Sequence, residues 1–139
     1  MENCFVCRKH KGQEAAPPGS YIYEDECWMV CHAPVNVGPL GTLLIESKRH
    51  FLDYAEMTTE ETETFTPLIK KIYKILRAHT DAERIYQVAM MDGAPHLHVW
   101  LVPRGKDVAE RGMNFLTRDD SCNDEDAIEL ANKLREAMK

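Results

Sequence analysis

The stretch His96-Leu97-His98-Val99-Trp100-Leu101-Val102-Pro103-Arg104 constrains this chain more than any other. Successive side chains of a strand face opposite sides, so Leu97, Val99 and Leu101 share one face while His96, His98 and Trp100 share the other. Period-two alternation of β-branched and aromatic residues predicts a strand, and Pro103 is expected to end it. The apolar face asks for a core. The other face holds two histidines two residues apart, close enough to serve one site. Imidazoles so placed bind metal, move protons or act as nucleophiles.

With 139 residues the chain is the size of one domain, and it shows neither an internal repeat nor a linker, so residues 1–139 are expected to fold as a single unit. Its 17 basic and 23 acidic residues leave a formal charge of −6. That balance argues against a nucleic-acid polymer or an anionic membrane surface as partner. A small phosphate ligand needs only a local donor site and stays open. No apolar run is long enough to span a bilayer. Met1-Glu2-Asn3-Cys4 has neither the basic nor the apolar region of a secretory signal. A soluble, cytoplasmic protein is expected, its five cysteines reduced or bound to metal.

Cys4-Phe5-Val6-Cys7 is a metal half-site or a redox pair. A redox CxxC usually opens a helix in a βαβ unit. Here a basic run and the breaker-rich Ala15-Ala16-Pro17-Pro18-Gly19 follow, which suits a zinc knuckle better. Zinc takes four N or S ligands, so the other two must come from among His10, His32, His50, His79, His96 and His98. Ser20–Tyr23 and Cys27–His32 read as a hairpin, with Cys27 and Cys31 as buried small side chains. Thr42–Glu46 is an apolar strand, and Ser47-Lys48-Arg49-His50 closes it with a basic turn. Thr58 and Glu61 form a capping box for a helix running to about His79, in which Pro67 is expected to make a kink or break. Phe65, Leu68, Ile69, Ile72, Tyr73 and Leu76 give that helix an apolar stripe. Ile85–Met91 is a further strand, linked to the histidine strand by Asp92-Gly93-Ala94-Pro95, short enough for antiparallel neighbours. Met113–Leu116 is an apolar island expected to pack back over the site, and Asp124–Met138 is an amphipathic terminal helix with acidic residues in its first turn.

Together, Cys4-x-x-Cys7, His50 at a strand end and His96-x-His98 resemble the histidine-triad (HIT) nucleotidyl hydrolase and transferase superfamily. That family's hallmark is His-x-His-x-His followed by two apolar residues, often continuing Pro-Arg. Tyr23-Glu24-Asp25 resembles its first hairpin, and Gly41-Thr42-Leu43-Leu44-Ile45 with Lys48-Arg49-His50 resembles its glycine-led strand ending in lysine and histidine. The resemblance spans Cys4 to about Arg104. It implies an α+β fold, an antiparallel sheet of about five strands with one long helix and a C-terminal helix, and a homodimer. It implies a structural Zn²⁺ held by Cys4, Cys7, His50 and His96. It makes His98 the nucleophile that attacks the α-phosphate of a substituted nucleotide, such as a phosphoramidate or dinucleoside polyphosphate, through a nucleotidyl-histidine intermediate.

The chain departs from the family at Trp100, which stands where the third histidine is expected. Tryptophan donates through its indole N–H but neither accepts nor shuttles a proton. The Gly-Gln-Ser/Thr run common before the motif is replaced by Met91-Asp92-Gly93-Ala94-Pro95, and Thr42 replaces a histidine. The resemblance marks His98 and Trp100 as catalytic, and Asn36, Arg104 and Asn114 as contacts for the nucleotide, with Asn114-Phe115 resembling an Asn-Phe of dinucleoside-polyphosphate phosphorylase-like members. The alternative is a non-catalytic nucleotide-binding module, or an interaction module stabilised by zinc.

Overall fold

The structure is a computed structural model that describes residues 3–139. Its elements run α1 (Phe5–His10), β1 (Tyr23–Glu24), β2 (Trp28–His32), β3 (Leu43–Ser47), a 3₁₀ turn (Tyr54–Glu56), α2 (Thr59–His79), β4 (Ala82–Val88), β5 (His98–Gly105), α3 (Met113–Leu116) and α4 (Asp124–Met138). The five strands form one sheet in the order β1-β2-β3-β5-β4, antiparallel throughout. This is the expected α+β architecture.

The two faces of the sheet do different work. Val30, Leu43, Ile45, Val99 and Leu101 pack against Leu68, Ile72 and Leu76 of α2 and Leu130 and Leu134 of α4. The stripe on α2 therefore meets the apolar half of the alternating strands. The opposite face carries Cys31, Leu44 and Trp100, which make a second, smaller apolar cluster with Ala33. Leu101 is fully buried at mid-sheet, opposite Leu43 on one side and Gln87 on the other. Leu101→Ala is expected to cost about 2–5 kcal/mol, read as a lower urea midpoint.

Several local readings change. The capping box of α2 forms as expected, with Glu61 N–H donating to Thr58 Oγ1 at 3.1 Å and Thr58 N–H to Glu61 Oε1 at 2.8 Å. Pro67 does not break the helix. Proline leaves the carbonyl four residues earlier unpaired, and here that residue, Glu63, is exposed, so water can satisfy it. Pro103 likewise lies inside β5, opposite Ile85 of β4. The β3 register ends at Leu101, so β5 at Pro103 is bordered by β4 alone, the position where a sheet tolerates a missing N–H. β1 starts at Tyr23 because Ser20 sits at a φ of 68° in the turn closed by its N–H to the Pro17 carbonyl. β2 starts at Trp28 because the Asp25 carboxylate takes the N–H groups of Cys27 and Trp28 at 2.8 Å each. The strand read at 85–91 lies at Ala82–Val88.

Candidate metal centre and active site

Cys4 and Cys7 do open a helix, the six-residue α1, with Cys4 as N-cap and its Sγ accepting from Cys7 N–H at 3.4 Å. His96 does not belong to the strand that carries His98. Its N–H turns back to the Ala94 carbonyl at 2.8 Å, and the ladder with β3 begins only at the pair Glu46–His98. Outside the strand, the His96 ring reaches Cys4 and Cys7 of the α1 segment and the Ser47 carbonyl at the end of β3. The expectation that both histidines lie in one strand is thereby corrected: β5 begins at His98.

Cys4, Cys7, His50 and His96 converge, their ligand atoms all within 4.8 Å of one another. Sγ of Cys4 lies 3.3 Å from His96 Nδ1, and Sγ of Cys7 lies 3.5 Å from Nδ1 of both His50 and His96. The two Nδ1 atoms are 3.2 Å apart. Donors at tetrahedral corners around zinc, with bonds of about 2.3 Å to sulfur and about 2.0–2.1 Å to nitrogen, lie about 3.5 Å (S to N) and about 3.3 Å (N to N) apart. The donor set thus fits a closed four-ligand zinc site. His96 Nε2 donates to the Ser47 carbonyl at 2.6 Å, which fixes the tautomer and turns the Nδ1 lone pair toward the cluster, the outer-shell arrangement metal-bound histidines use. Burial lowers the His96 pKa, which favours the neutral ligand form. Such a centre pins α1 to the end of β3 and the mouth of β5.

His98 opens β5. Its Nδ1 donates to the His96 carbonyl at 2.7 Å, leaving Nε2 as the ring nitrogen with a free lone pair. It lines a cleft of about 450 Å³ whose walls include Phe5, Val6, Pro17, Pro18, Leu44 and Trp100, with Asn36 and His32 at its margin. The Trp100 and His98 rings stand edge to face, 6.4 Å between centroids. Imidazole and indole therefore border one space, as expected.

Arg104 and Asn114 do not line that cleft. Arg104 is buried further along the sheet, where its Nε donates to the Tyr86 hydroxyl at 3.3 Å and its Nη2 lies 3.7 Å from Glu83. The Met113–Leu116 island packs there too: Phe115 stacks on Tyr86 at 5.4 Å, and Gly112 N–H donates to the Tyr86 hydroxyl at 2.8 Å. That segment covers Arg104 rather than the His98 cleft. Lys48 and Arg49 are paired, Lys48 with Glu24 and Arg49 with Glu61 at 2.9 Å.

Sequence reading missed the polar floor of the cleft. Glu46 looked like the end of an apolar strand, yet it is 2% exposed and faces the same side as its cross-strand partner His98. Its carboxylate takes hydrogen bonds from Lys9 Nζ at 2.7 Å, His10 Nε2 at 2.9 Å and the Tyr21 hydroxyl at 3.2 Å. Burial pushes the Glu46 carboxyl up, but the bonds and charges of His10 and Lys9 outweigh it and hold it below the usual range. Cys31, beneath Lys9, is raised by burial to about 12 and stays a thiol. An acidic residue in an otherwise apolar strand was the available signal.

His32 is wholly buried, with Nδ1 donating to the Ala33 carbonyl at 2.7 Å and Nε2 accepting from Gly41 N–H at 2.9 Å. Gly41 sits at a φ of 92°, in the left-handed region, which brings its N–H to the ring. Burial lowers the His32 pKa below its ordinary value. The folded state thus favours the neutral ring, so this contribution to stability is full above the ordinary histidine pKa of about 6.5 and is lost as pH falls below it. The gap in thermal midpoint between the wild type and His32→Gln is expected to narrow on acidification from pH 7.5 to 5.5. A constant gap would show that the ring's charge state does not matter.

No protein-family model and no curated protein sequence matches the chain. Solved structures do. A HIT-like protein of Bartonella henselae involved in cell-cycle regulation superposes with a TM-score of 0.75 at 18% identity, covering 99% of this chain and 97% of that one. The chain has the histidine-triad fold. A hypothetical histidine triad nucleotide-binding protein of Sulfolobus tokodaii superposes at 0.73 with 19% identity, over 97% of this chain and 91% of that one. A zinc-bound histidine triad family protein of Mycobacterium smegmatis gives 0.69 and 22%, over 99% and 94%. These superpositions cover 97–99% of this chain. No helix among the described residues is long and apolar enough to cross a membrane.

Proposed function

We propose that this protein is a zinc-containing HIT nucleotide hydrolase or nucleotidyltransferase, with His98 as nucleophile. The observation that carries this reading is the His98 tautomer: Nδ1–H is committed to the His96 carbonyl, and Nε2 is free on a ring that borders the cleft. The Nε2 lone pair forms a P–N bond to the α-phosphorus, and the bond from phosphorus to the leaving group breaks with its electron pair. Water then attacks the nucleotidyl-histidine, releases the nucleotide and restores the imidazole. Cys4, Cys7, His50 and His96 would hold a zinc ion, and with four protein donors it would serve structurally, fastening α1 beside the site rather than acting on substrate. Trp100 contributes an indole N–H to a phosphoryl oxygen. Indole supplies no acidic proton, so leaving groups that depart as stable anions, such as the nucleotide half of a dinucleoside polyphosphate, are favoured over amines. Asn36 contacts the nucleoside at the cleft margin. The same reading takes residues 1–139 as a single cytoplasmic domain and, as the family resemblance implies, a homodimer.

The test is intact mass spectrometry of zinc-loaded protein incubated with adenosine and guanosine phosphoramidates and dinucleoside polyphosphates. A nucleotidyl adduct present in the wild type and absent from His98→Ala supports the reading. Trp100 favours a second reading, a binding module without turnover. That reading predicts nucleotide protection against thermal unfolding with no adduct.

A further inference from the structure

The floor of the cleft holds a buried ion pair that the proposed chemistry at His98 does not use. Lys9 comes from α1, two residues past Cys7, and its side chain is 8% exposed. An ammonium has three hydrogens. Among the described residues Lys9 gives two of them away, to Glu46 Oε2 at 2.7 Å and to Cys31 Sγ at 3.3 Å. The third N–H has no oxygen or sulfur partner among the described residues, although the ammonium also stands 5.6 Å from the centroid of the Tyr21 ring, and Lys9 lines the same cleft as His98. Glu46 gives three of its roughly four acceptor positions to Lys9, His10 and Tyr21, and at 2% exposure it presents little surface to a ligand.

The pair also decides what the remaining N–H suits. A carboxylate 2.7 Å from the ammonium cancels its charge and repels a second anion, so Lys9 is a poor phosphate contact. A neutral carbonyl oxygen meets no such repulsion. The walls around it are apolar, with Phe5, Val6, Leu44 and Trp100 among them, and accommodate a planar ring. On the proposed nucleotide reading, the ring is a base. The edge of a 6-oxopurine presents O6 and N7, both acceptors, whereas adenine presents an amino donor beside N7. The remaining N–H can bond O6 or N7 of the first edge, whereas on the second it meets amino hydrogens at position 6 and finds an acceptor at N7 alone.

We propose that Lys9, held in place by Glu46, is a specificity residue that selects a 6-oxopurine nucleotide over an adenine nucleotide. This rests on the nucleotide reading above. Glu46 is a positioning residue: it fixes Lys9 and touches no ligand.

The experiment compares inosine and adenosine monophosphates, whose rings differ at position 6 and in the N1 proton, by calorimetric titration of the zinc-loaded protein. The wild type is expected to bind the inosine form at least about tenfold more tightly, because a site built to bond one edge rejects the analogue lacking it. Lys9→Met is expected to bring the ratio below about twofold. Lys9→Met/Glu46→Gln removes both charges and so avoids leaving Glu46 buried without its cation; it should give the same ratio if Lys9→Met is too unstable to titrate. Equal affinities in the wild type, or a ratio that survives both substitutions, overturn the role of Lys9 while leaving the nucleotide reading intact. Binding of neither nucleotide overturns both.

Discussion

Stripping zinc with a chelator, or substituting Cys7→Ser, is expected to lower the thermal midpoint by about 10 °C or more. Four donors hold together the end of β3, the mouth of β5 and α1. A six-residue helix has no stability of its own, because nucleation outweighs the few bonds it forms. Without metal, the two Nδ1 atoms stand 3.2 Å apart and are crowded against two thiols, with His96 wholly buried. Relieving that crowding means moving α1 away, and Lys9 and His10 then leave Glu46 buried and uncompensated. Losses of about 3 kcal/mol or more follow, and for a domain of this size each kcal/mol moves the midpoint by about 3–5 °C. The check is differential scanning calorimetry beside elemental analysis, with one zinc per chain expected before chelation. A protein that loses its metal yet keeps its midpoint would not use the centre as a structural clamp.

How legible this arrangement was in the sequence depends on range. Thr58 and Glu61 cap α2, and the stripe from Phe65 to Leu76 faces the core, because capping and 3.6-residue periodicity are local properties. The alternation of Val99 and Leu101 against His98 and Trp100 was equally readable. His96 was misplaced on the strand face because alternation says nothing of where a strand begins. That point is set by a tertiary demand, the bond from Leu97 N–H to the Phe51 carbonyl at 2.7 Å and the pull of the cysteine pair. Pro67 and Pro103 were read as breaks for the same reason: whether a missing N–H matters depends on what stands opposite, which pattern alone does not encode. The family resemblance alone marks Arg104 and Asn114 as nucleotide contacts, through the Pro-Arg that continues the motif and the Asn-Phe beyond it. Arg104 shares the face of β5 with His98 but lies six residues on, beneath Gly112 and Phe115. The Lys9–Glu46 pair, 37 residues apart, was invisible because only the folding of α1 across β3 makes it.

His98→Ala is expected to abolish the nucleotidyl adduct and cut turnover by about 10³-fold or more, while changing the affinity for a nucleoside monophosphate far less. The separation follows from position. A nucleophile forms its bond only as the reaction proceeds, whereas ground-state affinity comes from the walls at Phe5, Val6 and Trp100 and from the floor at Lys9. The substitution should leave the fold in place. His98 is only half-buried, its ring donates to the His96 carbonyl, and losing such a bond costs about 1 kcal/mol. Unchanged zinc content and a midpoint within a few degrees of the wild type are the controls. Trp100→His sharpens the result, since an imidazole beside His98 can protonate an amine leaving group where indole cannot. Turnover of a phosphoramidate is therefore expected to rise in Trp100→His and to vanish again when His98→Ala is added. Turnover that persists at the wild-type level in His98→Ala would remove this imidazole from the chemistry, and the free Nε2 at the cleft would then need another explanation.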